Sequence, residues 1–270
     1  MPVPSAPYPL FGTKSHRLHA RQVGQRYTIG VWLPLSYGTG DRHYPTLYVP
    51  DAEFLFAAVC GLLPTLIGPT VPEMLVVGVA YHGISTWAEF GALRERDMLP
   101  PGMQSTPGEN RFEAYQRFWA EELIPFIEGH YRADPGDRTI LGFSCSGFYA
   151  LQMLLGHPGL FRRHVAVSGT WPGVAEYLLA QAGDRGGGAS HREAAGPQAA
   201  PAGMRAAYLA AGAAEPEQAA GMAALSAALE GAPDLHLTRE ILPGEGHGAG
   251  MIAAAILRGL PAVYAPLTAS

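Results

Sequence analysis

The sequence predicts an α/β fold, with a mostly parallel central sheet and helices packed on both faces. Three observations lead there. Apolar strand-like runs alternate with segments of helical period along most of the chain, which is the signature of a helix-covered sheet. One of those runs, Met74 to Val79, is apolar throughout, as expected of a central strand covered on both sides. Finally, 270 residues with 48% hydrophobic and only 15% charged residues suffice for one large core, so residues 1–270 are expected to form a single domain.

The elements follow in order. Tyr27, Ile29, Val31 and Leu33 alternate with Thr28, Gly30 and Trp32, the period of a strand with one buried face, and Pro34 ends it. A short strand, Thr46 to Val49, stops at Pro50-Asp51-Ala52, and Phe54 to Leu66 reads as a helix before the Met74 to Val79 strand. From Arg111 to Tyr131 the apolar residues Phe112, Tyr115, Trp119, Leu123, Phe126 and Ile127 recur three and four apart, giving an amphipathic helix that Pro125 should kink. A strand from Thr139 leads into a helix closed by Gly156-His157-Pro158, and another strand spans His164 to Ser168. Residues 182–203 are rich in Gly, Ala and Pro without any period and read as a surface loop. Beyond them come a weak strand at Ala206–Ala211, a helix at Pro216–Leu229, a last strand at Leu235–Leu242 and a closing helix at Met251–Leu260.

The chemistry centres on Gly142-Phe143-Ser144-Cys145-Ser146, where an apolar strand turns through small residues straight into a helix. Such a turn matches the nucleophile elbow of α/β-hydrolases, which lifts one serine out of the sheet on a strained backbone. Ser144 stands at the apex, and the amide of Cys145 opens the following helix, where negative charge is stabilised. A serine replaces the usual last glycine, and a glycine-rich turn carrying an incidental serine is the competing reading. His247 follows the last strand in the turn Pro243-Gly244-Glu245-Gly246-His247-Gly248, at a strand end where ligands of such sheets bind. For an acid, the loop before the last helix-strand unit offers Glu215, with Glu217 beside it and Asp234 as an outside candidate; either glutamate would also suit the start of the next helix. Serine, acid, histidine is the chain order of the α/β-hydrolase triad.

Other functions are disfavoured. A net charge of −5 argues against a nucleic-acid partner. No apolar stretch approaches the ~20 residues that span a bilayer, so no membrane partner is expected, and the first residues lack the pattern of a signal peptide. Cys60 and Cys145 lie in separate segments and are expected to stay unpaired, as in a reducing cytoplasm. Neither metal-ligand spacing nor a nucleotide motif is present, so no metal and no cofactor is expected.

Several segments together resemble an esterase branch of the α/β-hydrolases that includes enterochelin (siderophore) esterases, esterase D-type enzymes and mycolyltransferases. These are Pro45 to Ala52, Arg94-Glu95-Arg96-Asp97-Met98-Leu99-Pro100, Glu121 to Glu128 with Tyr131 to Pro135, and Pro243 to His247. The resemblance implies an α/β-hydrolase fold and a serine esterase of small-molecule esters, with Ser144, His247 and Glu215 catalytic. It also implies an oxyanion hole from the amides of Cys145 and Ala52, although Ala52 stands where the family has glycine and Leu99 where it has threonine. Arg94 or Arg96 would hold an anionic part of the substrate, or instead pair with Asp97 or Glu95; Trp171 would wall the acyl pocket or simply be buried. An acyltransferase or cyclase using the same acyl-enzyme, and a binding protein that has lost the chemistry, are the alternatives.

Overall fold

The computed structural model describes residues 10–105, 108–184 and 203–265. Eight strands form one sheet in the order β1-β2-β4-β3-β5-β6-β7-β8. In chain order they are β1 (Thr13–Ala20), β2 (Gln25–Trp32), β3 (Tyr44–Val49), β4 (Leu75–Tyr81), β5 (Ala133–Phe143), β6 (Arg163–Val167), β7 (Arg205–Gly212) and β8 (Leu235–Leu242). β1 and β2 run antiparallel at one edge, and β3 through β8 are parallel.

Helices cover both faces, as the unbroken apolar character of β4 requires. Leu75, Val77 and Val79 enter one core, while Val76 points into the other. The first core is closed by α2 (Trp87–Met98), α3 (Phe112–Phe118), α4 (Ile124–His130), α5 (Cys145–Gly156), α6 (Val174–Asp184) and α7 (Pro216–Leu229). The second lies beneath α1 (Leu55–Leu62), α8 (Ala249–Ala254) and α9 (Leu260–Tyr264). The expected long helix at 111–131 is present as α3 and α4 joined by a π-helical turn, Trp119–Leu123. Pro125 falls in the first turn of α4, where its missing N–H is tolerated best. The closing helix is interrupted in the same way, by a π turn at Ala255–Gly259 before Pro261.

Three elements depart from the sequence reading. β1 has polar residues on both faces and only Ala20 buried, so it carries no apolar period. α2 spans Trp87–Met98, to which the sequence reading assigns no element; its buried face includes a charged residue, Asp97, which breaks the apolar pattern. α6 takes up residues 182–184 of the expected 182–203 loop, and residues 185–202 of that loop lie outside the described residues.

Candidate active site

Neighbouring parallel strands β3, β5 and β6 each end on a strained residue. Among the described residues, the non-glycine residues with positive φ are Asp51 (55°), Ser144 (61°) and Ser168 (50°), and each lies just past one of those strands. A left-handed conformation in a residue with a Cβ costs of order 1–3 kcal/mol and persists only where the surroundings enforce it. At Ser144 the surroundings are plain. Its amide donates to the Val167 carbonyl (2.9 Å), and a Cβ on Gly142 would overlap the Ser146 carbonyl, so β5 and α5 meet too closely for any larger residue. The Ser146 hydroxyl accepts from the Phe143 amide (3.1 Å) and donates to the Phe143 carbonyl (2.9 Å), which gives the serine in place of the usual glycine a role in closing the turn.

The ends of β7 and β8 bring Glu215 and His247 to this turn. His247 Nε2 lies 2.9 Å from Ser144 Oγ, and His247 Nδ1 lies 2.6 Å from Glu215 Oε1. With Nδ1–H donated to the carboxylate, Nε2 is left to accept the serine proton. The imidazole ring lies over Phe143, with centroids 4.7 Å apart. The other carboxylate oxygen, Glu215 Oε2, accepts from Ser168 Oγ (2.7 Å) and the Gly212 amide (3.0 Å). Burial pushes the Glu215 pKa up, but the hydrogen bonds from Ser168, His247 and Gly212 outweigh it and hold the carboxyl below its ordinary value, so it is charged at neutral pH. The acid side chain is 7% exposed and the imidazole 46%, so solvent and ligands reach the histidine but not its carboxylate partner. Ser168 and Gly212 went unassigned in the sequence reading; the only signal is a hydroxyl at a strand end beside the strand that leads to the acid.

Comparison with known proteins bears on this arrangement. Residues 20–219 match the Esterase family model, described as "Putative esterase". The chain belongs to this esterase family. It is 30% identical over 173 residues to the ferri-bacillibactin esterase BesA of Bacillus subtilis, across 58% of each chain. The chain thus spans under two thirds of the length of the curated relatives it matches, 58%, 57% and 62%. Its fold is that of the BES protein from Bacillus cereus (TM-score 0.80, 21% identity, covering 97% of this chain and 98% of that one). The siderophore hydrolase EstB from Aspergillus nidulans shares it too (TM-score 0.76, 20% identity, 96% of both chains).

The remaining residues that the esterase resemblance implied are placed unequally. Cys145 begins α5, so its amide belongs to the first turn, where no carbonyl of the helix can receive it. Its thiol is buried and its pKa pushed up to about 12, which keeps it neutral. The Ala52 amide is spent elsewhere: it donates to the Val79 carbonyl (3.2 Å), tying the β3 loop to β4, and so is not free for a substrate oxyanion as expected. Arg94 is likewise committed. Its Nε lies 2.9 Å from both oxygens of Asp51, its terminal nitrogen is 2.7 Å from Asp51 Oδ2, and the guanidinium also donates to the Phe143 carbonyl (3.2 Å). It therefore braces the β3 loop against the turn that carries Ser144. Arg96 grips Asp97 through two bonds, 2.7 and 3.1 Å, while Asp97 accepts from the Tyr27 hydroxyl (2.6 Å). Both guanidiniums are thus engaged by carboxylates, Arg94 by Asp51 rather than the Asp97 or Glu95 offered from the sequence, and Arg96 by Asp97 as that alternative had it. Trp171 follows the β6 end, half-buried, with its ring 6.1 Å from that of Phe148. Asp234, the outside candidate for the acid, pairs with Arg205 (2.7 Å) where β8 begins, at the far end of the strands.

Both cysteines are free, and among the described residues no group of three or more His, Cys, Asp or Glu could hold a metal ion. No helix among them is long and apolar enough to cross a membrane.

Proposed function

We propose that this protein is a serine esterase that hydrolyses a small-molecule ester, of siderophore or other secondary-metabolite type, through an acyl-enzyme on Ser144. The observation that carries this reading is the continuous hydrogen-bonded chain Ser144 Oγ, His247 Nε2, His247 Nδ1, Glu215 Oε1, at 2.9 and 2.6 Å. In the first step the Ser144 oxygen attacks the ester carbonyl carbon as its proton passes to His247 Nε2. Charge moves to the carbonyl oxygen, and the Cys145 amide at the start of α5 is the donor that would receive it. Collapse of the tetrahedral intermediate breaks the ester C–O bond, and the departing alkoxide takes the proton from Nε2. Water, activated by the same imidazole, then attacks the acyl-serine and releases the acid. Glu215 holds the productive tautomer and stabilises the imidazolium; losing that service costs up to roughly 10⁴ in kcat. Family membership supports the reaction class, and the Bacillus subtilis relative supports the substrate class.

The test is the intact mass of the protein after treatment with a fluorophosphonate. One adduct on the wild type, absent in Ser144→Ala and in His247→Ala, is the expected result. A wild type that stays unmodified, or a Ser144→Ala variant that still gains mass, would overturn the reading.

A further inference from the structure

Trp87 stands 70% exposed at the start of α2, although burying a side chain of that size is among the larger gains open to a fold. Its position is fixed all the same. Thr86 and Glu89 form a reciprocal capping box, in which the Glu89 amide donates to Thr86 Oγ1 (3.2 Å) and Glu89 Oε2 accepts from the Thr86 amide (3.0 Å) and the Ser85 amide (2.8 Å). Behind it the ring meets buried Phe90 edge-on (5.6 Å between centroids), and Phe90 meets Phe54 of the β3 loop in the same way (5.9 Å). The Arg94 guanidinium lies 5.7 Å from the Phe90 centroid and 5.9 Å from that of Phe54, and it is this guanidinium that donates to the Phe143 carbonyl, next to Ser144. Three rings, Trp87, Phe90 and Phe54, thus run back from the surface beyond the end of β4, and Arg94, set against the last two, ties them to the turn carrying the serine. They lie on the β3 and β4 side, across from Trp171 on the β6 side. The other most exposed apolar residues, Phe11 (85%) and Leu35 (71%), adjoin the Trp32 end of β2, which pairs with the start of β4; they belong to the opposite end of the parallel strands.

We propose that Trp87, backed by Phe90 and Phe54, forms a rim subsite that takes a flat aromatic group of the ester and so sets specificity. The inference rests on the esterase reading of the site and adds a substrate feature to it. An indole has only two side-chain torsions to order, so stacking on it adds affinity at little entropic cost, and that affinity is present equally in the ground and transition states. Its loss appears in KM, while kcat stays unchanged.

The experiment compares ethyl acetate with methyl phenylacetate and phenyl acetate, which carry the ring on the acyl and on the alcohol side. Trp87→Ala is expected to raise KM about 10-fold for at least one aryl ester, leave its kcat within two-fold and leave ethyl acetate unaffected; Trp87→Phe should keep most of the wild-type KM. An equal effect on all three esters, or none, overturns the subsite. A second readout does not depend on hydrolysis. The indole N–H resonance of Trp87, assigned by its disappearance in Trp87→Phe, should shift on titration with phenylacetamide, and more than those of the other three tryptophans. A shift with no ester turned over would preserve the subsite and sink the esterase reading. Turnover with no selective shift and no selective KM change would do the reverse.

Discussion

Glu53, one residue past the amide spent on Val79, is held by one of its two carboxylate oxygens. Its Oε1 accepts from the Tyr81 amide (2.6 Å), while Oε2 is buried without a partner. Burial pushes its pKa up to about 7, and neighbouring Asp51 adds to the rise; the backbone amides of Tyr81 and of Glu53 itself, with Arg94, oppose it. The folded protein therefore holds the Glu53 proton through a range where the unfolded chain, titrating near 4.5, has released it. The stability tied to that proton is fully present below about pH 4.5 and is lost as pH rises to about 7, by on the order of 3 kcal/mol in all. Glu53→Gln, which cannot ionise, should gain on the wild type by about 2 kcal/mol between pH 5.5 and 8.5. Urea denaturation at the two pH values measures this, and a difference between the proteins that does not change with pH would contradict the burial argument.

At the scale of elements, the Ser144 turn depends on how closely β5 can approach α5. Gly142→Ala must push its methyl into the Ser146 carbonyl, backbone that cannot yield without moving the helix start. A loss of about 2–4 kcal/mol is expected, with ester turnover falling at least 100-fold as Ser144 shifts relative to His247. Ser146→Gly, by contrast, removes only the two hydrogen bonds to Phe143 and adds backbone freedom. It should cost about 1–2 kcal/mol and leave turnover of the folded protein within a few-fold. Urea titrations with initial rates on a simple ester distinguish the two outcomes. The contrast also explains what could be read from the chain. The meeting of Ser144, Glu215 and His247 was legible because each is set by a local event, a strand ending in a turn, in an order that a parallel sheet gathers at the carboxyl ends of its strands. Ala52 and Arg94 were misplaced because their fate depends on partners distant in sequence: Val79 for the Ala52 amide, Asp51 and Phe143 for Arg94. Arg96 takes the pairing with its neighbour Asp97 that the sequence offered as an alternative, and α2 buries that carboxylate against Tyr27. β1 and α2 were missed for a related reason, since an edge strand and a helix that buries a charge both lack the apolar period that reveals the other elements.

Across the whole molecule, the two edges of the parallel sheet carry different work. Opposite the candidate site, β5, β6 and β7 present a rank of buried arginines, Arg138, Arg163 and Arg205, only 1%, 3% and 7% exposed. Each is paired with a carboxylate, Glu128, Asp137 and Asp234 respectively, and donates to a loop or helix carbonyl, at Leu160, Val263 and Leu154. These ties pin α4, α9 and α5 to the ends of the strands that lead to the serine and the acid. Removing one partner of a buried pair leaves the other charge uncompensated, which costs about 3–5 kcal/mol, far more than an exposed pair contributes. Arg138→Ala strands Glu128, whose side chain is 13% exposed, and should lose stability on that scale. Its distance from the site, a strand length of some 5 residues at about 3.3 Å each from Arg138 to Phe143, leaves no direct path to the chemistry. Turnover per fluorophosphonate-titrated site should therefore stay within two-fold of the wild type. A variant that remained as stable as the wild type, or one whose titrated sites turned over ten times more slowly, would show that the two edges are not separate in this way.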